Sequence, residues 1–139
     1  MGFKHRASSM EHQASRIISC SLILLLASCA TPYQAQTRSG GYTDRKLAPG
    51  VYRITFQGNR FTTSVRAKDF ALRRAAEVTL DAGAAYFLII AAVPSNAGYA
   101  EITIQLQSTP SSEAVSAFEL LRRIDATYGQ RSLSSYLAR

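Results

Sequence analysis

An apolar run that ends in two small residues and a cysteine limits where the folded part of this chain can begin. The run Ile17–Ala27 has 11 residues, and Leu26-Ala27-Ser28-Cys29 closes it. This length fits the apolar core of a signal peptide, about 7–15 residues, and is shorter than the ~20 residues that span a bilayer. We therefore predict a bacterial lipoprotein signal peptide over residues 1–28, cleaved after Ser28. The alternative is an ordinary secretory signal that happens to precede a cysteine.

Cys29 is the residue on which this prediction depends. Its thiol would carry an S-diacylglycerol group, and the amino group released by cleavage would be N-acylated, for example with palmitate. A thiolate is a strong enough nucleophile for such an alkylation near neutral pH. Two or more acyl chains hold a protein stably on a bilayer. Ala30 follows Cys29 where inner-membrane lipoproteins of Gram-negative bacteria commonly carry aspartate, so we expect an outer-membrane lipoprotein that faces the periplasm.

Removal of residues 1–28 would also remove chemistry from the mature chain. The full sequence has a formal net charge of +7, and the part from Cys29 onward keeps +5. His5, His12 and Cys20 all lie in the predicted signal peptide. The remainder has no histidine base for a Ser-His-Asp or Cys-His site, no ligands for a typical zinc or copper site and no disulfide. We expect no cofactor, no metal site, no catalytic residues and, in the periplasm, no nucleic-acid partner.

The composition predicts two regions after the signal peptide. Residues 29–49 are rich in Thr, Gln, Ser, Gly and Pro, which favours a lipidated tether with Gly40-Gly41 as its most flexible point. Residues 50–139 contain the apolar periodicity and are predicted to form a small α+β periplasmic domain.

The predicted elements follow from apolar spacing and from turn residues. Strict alternation over Val51–Gln57 indicates a half-buried strand, and a helix begins near Val65, after Thr62-Thr63-Ser64, and ends at about Ala82 before Gly83. Two further strands and a last helix complete the pattern: Tyr86–Val93, Tyr99–Gln107 and Glu113–Tyr128. The order β-α-β-β-α predicts a two-layer sandwich of two helices on a small three-stranded sheet.

The faces of these elements give two further expectations. Leu72, Ala75, Ala76, Thr79 and Leu80 form the inward stripe of the first helix, and i, i+4 spacing places Asp69, Arg73 and Glu77 outward. The strand Tyr86–Val93 is apolar on both sides. Either its second face is covered, or that face is an apolar patch for a partner.

Basic residues are concentrated between positions 44 and 74, whereas residues 75–121 contain no Lys or Arg and five acids. One interpretation is a solvated surface. The other is a patch for an anionic envelope polymer, for lipopolysaccharide phosphate, for peptidoglycan carboxylates or for phospholipid headgroups. The eight basic residues are Arg45, Lys46, Arg53, Arg60, Arg66, Lys68, Arg73 and Arg74.

Two other residue sets have ordinary structural interpretations. Asp69, Glu77 and Asp81 share one helix and would be the carboxylates of an envelope glycan hydrolase, but a solvated helix face explains them. Strand tyrosines such as Tyr52 and Tyr86 are more typical of core or rim packing than of a ligand platform.

Several short motifs recur in the order found in one family. They are Gly40-Gly41-Tyr42-Thr43-Asp44, Tyr52–Asn59, Arg74–Leu80 and Tyr86-Phe87. These fit the pattern GGY-[ST]-D, Y-x-[VI]-x-F-x-G-N and RAAE-x-T, so the chain resembles a family of small proteobacterial lipoproteins over about Tyr33 to Val93. That family has no established biochemical activity. The resemblance implies an envelope lipoprotein and assigns no catalytic residue.

These observations together predict a membrane-anchored periplasmic lipoprotein, not an enzyme, whose domain is a binding or scaffolding module. Its expected partners are the membrane, through the lipid anchor, and an anionic envelope polymer or an envelope protein. The alternative function is an envelope hydrolase that uses a carboxylate pair.

Overall fold

A computed structural model describes residues 29–129 together with residues 136 and 138. The predicted signal peptide, residues 1–28 with its cleavage point after Ser28, lies outside the described residues. Thr31–Arg139 forms one structural unit, and the description below concerns that unit.

The described residues contain five strands and two helices in the order β-β-α-β-β-β-α. They are β1 (Gly41–Ala48), β2 (Val51–Gln57), α1 (Ser64–Asp81), β3 (Tyr86–Asn96), β4 (Tyr99–Gln107), β5 (Val115–Ser116) and α2 (Ala117–Tyr128). The predicted three-stranded sheet with β-α-β-β-α order is therefore wrong. Strand β2 matches its predicted bounds, and α1 matches its own to within one residue at each end.

Strand β1 was missed because its sequence carries no apolar alternation. It is an edge strand whose residues from Thr43 to Ala48 are exposed, so no core position marks it in the sequence. The strand is held in its extended conformation by antiparallel pairing with β2, in which Tyr42 lies opposite Phe56 and Asp44 opposite Ile54. Strand β5 was missed because it has only two residues.

Residues 31–41, predicted as part of a flexible tether, fold back against β1 and the loop that follows β2. The backbone of Tyr42 exchanges hydrogen bonds with Gln34 and Gln36, at 2.8 and 3.0 Å. Gly41 has a φ of +142°, and a Cβ there would lie 2.5 Å from the carbonyl oxygen of Ala35. The glycine pair is therefore a point of close backbone approach, not of flexibility.

The five strands form one antiparallel sheet in the order β1-β2-β4-β3-β5. Alternation along β2 and β4 directs Ile54, Phe56, Ile102 and Ile104 to the face that α1 covers. Apart from Val51, the residues of these strands on the opposite, open face carry polar groups. In β3 a register shift between Ile89 and Ala91 interrupts this alternation.

Helix α1 can lie close to the sheet because its inner positions are small. Ala67, Ala71 and Ala75 recur every four residues and are fully buried. Phe70, which the predicted stripe omitted, is fully buried as well, whereas Leu72 and Leu80 are only partly buried. The Thr63 hydroxyl accepts the N–H of Arg66 at 3.2 Å and caps the helix as predicted.

Helix α2 packs along α1 and begins four residues later than predicted. The sequence favoured a start at Glu113, but Val115 and Ser116 pair with β3 and the Ser116 hydroxyl caps the helix by accepting the N–H of Glu119. Leu121 and Ile124 bury the inner side of α2 against the shared core.

Candidate functional site

The eight basic residues of the predicted patch do not share one surface. Arg73 is buried, Arg74 is partly buried and Arg66 lies over the rings of Phe70 and Tyr128, at 5.2 and 5.5 Å from their centroids. Arg53 is exposed on the open face of the sheet, where its guanidinium lies 3.7 Å from the Glu101 carboxylate.

The remaining four basic residues are exposed at two distant ends of the domain. Arg45 and Lys46 lie towards the β1–β2 turn, with Arg45 directly opposite Arg53. Arg60 and Lys68 lie after β2 and in the second turn of α1, at the other end of the strands. Within the described part of the chain no ion pair involves any of these four. Their separation weakens the case for a single anionic ligand.

Arg73 and Glu77, predicted to face outward, are buried, so that prediction is wrong. Arg73 is only 3% exposed and Glu77 only 7%. The Arg73 guanidinium contacts Asp125 of α2 at 3.1 Å and Glu77 at 3.6 Å. Its charge also lies 4.0 Å from the centre of the Tyr33 ring. These contacts link α1, α2 and the segment that precedes β1. They indicate that Arg73 has a structural role.

A second arginine fastens the edge strand to this network. Arg74 contacts Asp44 of β1 at 2.7 Å and Glu77 at 3.2 Å. Burial lowers the pKa of Arg74, but the hydrogen bond to Asp44, the negative charge of Asp44 and the hydrogen bond to Glu77 outweigh burial and raise it. Arg74 is therefore permanently charged, and its charge is balanced by carboxylates of the same domain.

Tyr33 belongs to the same network, although no pattern in the sequence selects it. Its hydroxyl donates a hydrogen bond to Glu77, and its ring stacks on Tyr42 with centroids 4.7 Å apart. Burial, followed by the charge of Glu77, raises the pKa of Tyr33 above its ordinary value. Tyr33 thus acts as packing for the domain.

The outer edge of β3 has unusual surface chemistry. Strand β5 pairs only with Tyr86 and Phe87, so in the described residues no strand lies beside Leu88–Asn96 on that side. Ile89, Ile90 and Val93 are 42%, 50% and 46% exposed. In the described residues these side chains are uncovered, so the alternative in which this strand is covered is not what the structure shows.

The end of the domain that holds Thr31 also carries exposed apolar side chains. Thr31 is 2% exposed; its backbone N–H donates to the Thr62 hydroxyl at 3.3 Å, and its own hydroxyl accepts the N–H of Asn59 at 2.9 Å. Phe61 and Val65 extend from the adjoining loop and the start of α1, 52% and 66% exposed. Both positions were missed, because exposure of an apolar residue is visible only in the tertiary structure.

A polar recess adjoins this end. It has a volume of about 360 Å³, and its lining includes Arg38, Ser39, Gly40 and Asn59. The Arg60 guanidinium lies 4.7 Å from the centre of the Phe61 ring. A cationic group and an apolar ring are therefore in contact next to the loop that holds Thr31.

The described residues offer little support for carboxylate chemistry or for metal binding. Three cavities, beside α2, beside the β3–β4 pair and beside Arg38, are each lined by at most one acidic side chain. Asp125 and Glu77 converge on Arg73 and not on a cavity. No group of three or more His, Cys, Asp or Glu in this part of the chain is placed to hold a metal ion. The helices described are all too short or too polar to cross a membrane.

Comparisons with protein-family models, with curated proteins and with solved structures gave no match to this chain. Its function is therefore argued from the surfaces described above.

Proposed function

We propose that this chain is a lipoprotein of the bacterial outer membrane, acylated at Cys29, whose periplasmic domain binds an envelope protein through the outer edge of β3. The anchor is supported by the apolar run and the Leu-Ala-Ser-Cys sequence that follows it. The binding role is supported by one observation, the uncharged edge Leu88–Asn96 and its exposed apolar side chains.

The outer edge of β3 has backbone groups that a partner strand could pair with. An edge strand presents unpaired N–H and C=O groups that template the addition of another extended chain. The opposite edge, β1, is blunted by Asp44, Arg45 and Lys46, charges that natural proteins use to prevent such pairing. No charged residue occurs from Ala82 to Ala100. The β3 edge lacks the charges that protect the β1 edge, and its own interruptions are Pro94, which has no backbone N–H, and the register shifts between Ile89 and Ala91 and between Val93 and Asn96.

A protein partner fits this surface better than an anionic polymer. The cations that would contact a polymer lie at two ends of the domain, and Arg73 and Arg74 are used inside it. An extended chain would bind by backbone hydrogen bonds to the edge of β3 and by contacts with its exposed apolar side chains.

Lipidation is tested by substitution of the acylated residue. The variant Cys29→Ala should carry no acyl group, because the thiol that forms the thioether is absent. Growth with labelled palmitate followed by mass spectrometry of the purified protein measures this. Label on the variant, or a bare thiol on the wild-type terminus, would contradict the anchor.

The partner strand is tested by photo-crosslinking in intact cells. A photoreactive residue at Val93 should give a discrete crosslinked species, and Ile90→Lys should abolish it by placing a charge on the edge. Thr43→Lys, an exposed change on the opposite edge, is the matched control. A species at twice the subunit mass would identify the partner as a second copy. Crosslinking unchanged by Ile90→Lys would exclude this edge.

A further inference from the structure

We infer that the domain rests directly on the membrane, with a surface formed by Arg38, Arg60, Phe61, Val65 and Lys68 against anionic phospholipid headgroups. We call this the anchor-end surface. The inference rests on the proposed acylation of Cys29 and adds a second, non-covalent contact with the same bilayer.

The chain between the acylated Cys29 and the first buried residue of the domain is short. Thr31 is buried and held by two hydrogen bonds to the loop after β2. Only two residue steps separate it from Cys29, and two steps span at most about 7 Å. A flexible linker of the length that the composition predicted, roughly 20 residues, would have a root-mean-square span of about 25 Å. The short connection keeps this end of the domain at the bilayer.

Apolar side chains adjoin the loop that holds Thr31: Phe61 precedes Thr62, whose hydroxyl accepts the Thr31 N–H, and Val65 lies in the first turn of α1 that follows. Phe61 and Val65 are 52% and 66% exposed, and these are the two largest exposures among the large apolar residues described. An aromatic ring beside an arginine suits the boundary between headgroups and acyl chains, because the ring takes the apolar layer and the guanidinium takes the phosphates. The contact of Arg60 with the Phe61 ring, at 4.7 Å, has this form.

The anchor-end surface carries positive charge without neighbouring acidic residues in the same sequence segments. No acidic residue occurs from Arg45 to Lys68, and none occurs from Cys29 to Thr43. Arg38, Arg60 and Lys68 are exposed, and no described ion pair involves them. The recess beside Arg38, about 360 Å³ in volume, offers hydroxyl, amide and backbone groups as further polar partners. Basic residues close to a negatively charged leaflet are attracted to it.

A single fluorophore on the acylated protein tests the contact. In the mature chain Cys20 would be removed and the Cys29 sulfur blocked, so Val65→Cys would supply one reactive thiol. The purified acylated protein, labelled there with an environment-sensitive dye, is placed in phosphatidylcholine vesicles with and without phosphatidylglycerol. Leu47→Cys is the matched control, since Leu47 is also an exposed apolar residue, 43% exposed, but lies by the β1–β2 turn.

The inference requires a blue-shifted emission at position 65, quenched by brominated lipid and strengthened by phosphatidylglycerol, and neither effect at position 47. In the position-65 reporter, Arg60→Ser should shift the equilibrium about fivefold towards the detached orientation, equivalent to about 1 kcal/mol per basic residue. Phe61→Ser should reduce the quenching as well.

Equal emission from positions 65 and 47 on acylated protein would overturn this inference and leave the proposed anchor standing. A contact that is insensitive to phosphatidylglycerol and to Arg60→Ser would overturn its electrostatic part. Absence of the acyl group on the wild-type protein would overturn both the anchor and this inference.

Discussion

Substitution of Arg73 by methionine should destabilise the domain strongly. Arg73 is 3% exposed, and its guanidinium faces the carboxylates of Asp125 and Glu77 at 3.1 and 3.6 Å. The variant Arg73→Met keeps most of the side-chain volume but removes the positive charge between two buried acids. Removing one partner of a buried ion pair typically costs about 3–5 kcal/mol, against a total stability of roughly 5–15 kcal/mol for a domain.

Urea unfolding of the detergent-purified protein, followed by circular dichroism, measures this loss because the chain lacks tryptophan. The double variant Arg73→Met with Asp125→Leu should recover a large part of the loss, since an apolar pair of similar volume often replaces a buried ion pair at little cost. A loss below about 1 kcal/mol for Arg73→Met, typical of an exposed pair, would refute the structural role argued for this network. No recovery in the double variant would show that Asp125 does not carry the effect.

Two further changes test other parts of the fold. Gly41→Ala should lower the free energy of unfolding by more than about 2 kcal/mol, because its Cβ would meet the Ala35 carbonyl at 2.5 Å, whereas Gly83→Ala, with open space around it, should cost only about 1–2 kcal/mol; equal losses in urea unfolding would contradict the close approach. Burial and the hydrogen bond to Asp69 raise the pKa of Tyr128 to about 12, and an unfolded tyrosine ionises near 10. The unfolded state therefore loses its proton first, stability falls between about pH 10 and 12, and Tyr128→Phe should flatten that fall in urea titrations at stepped pH; an unchanged slope would exclude Tyr128 as the cause.

The elements that the sequence predicted correctly share a strong local signal. Strand β2 alternates without interruption, and α1 has a threonine cap and a glycine after its end. Such patterns are local because each residue's side is set by the helical or extended repeat of its own backbone. Pro49-Gly50 is also a turn signal in the local sequence. It favours a hairpin with β2 and so indicates strand β1, which the apolar alternation did not predict.

The burial of Arg73 and Glu77 and the exposure of Ile89 and Ile90 are not marked by any local signal in the sequence. Arg73 and Glu77 have the spacing of a solvated ladder, and only the arrival of α2 with Asp125 buries them. Ile89 and Ile90 have the composition of a core strand, and only the shortness of β5 leaves them exposed. In both cases the environment is decided by an element distant in the chain.

The sequence by itself determined the predicted lipid-attachment residue, the lack of histidine after residue 28, the position of α1 and the end of α2, because each depends on residue type or on spacing within one segment. The tertiary structure alone decided that the apparent tether is packed into the domain, that three of the eight basic residues are in internal contacts and that, among the described residues, no strand covers the outer edge of β3 beyond Phe87. These depend on which segments meet, and composition cannot reveal that a glycine pair closes a turn against Ala35 or that Thr31 is held by Thr62.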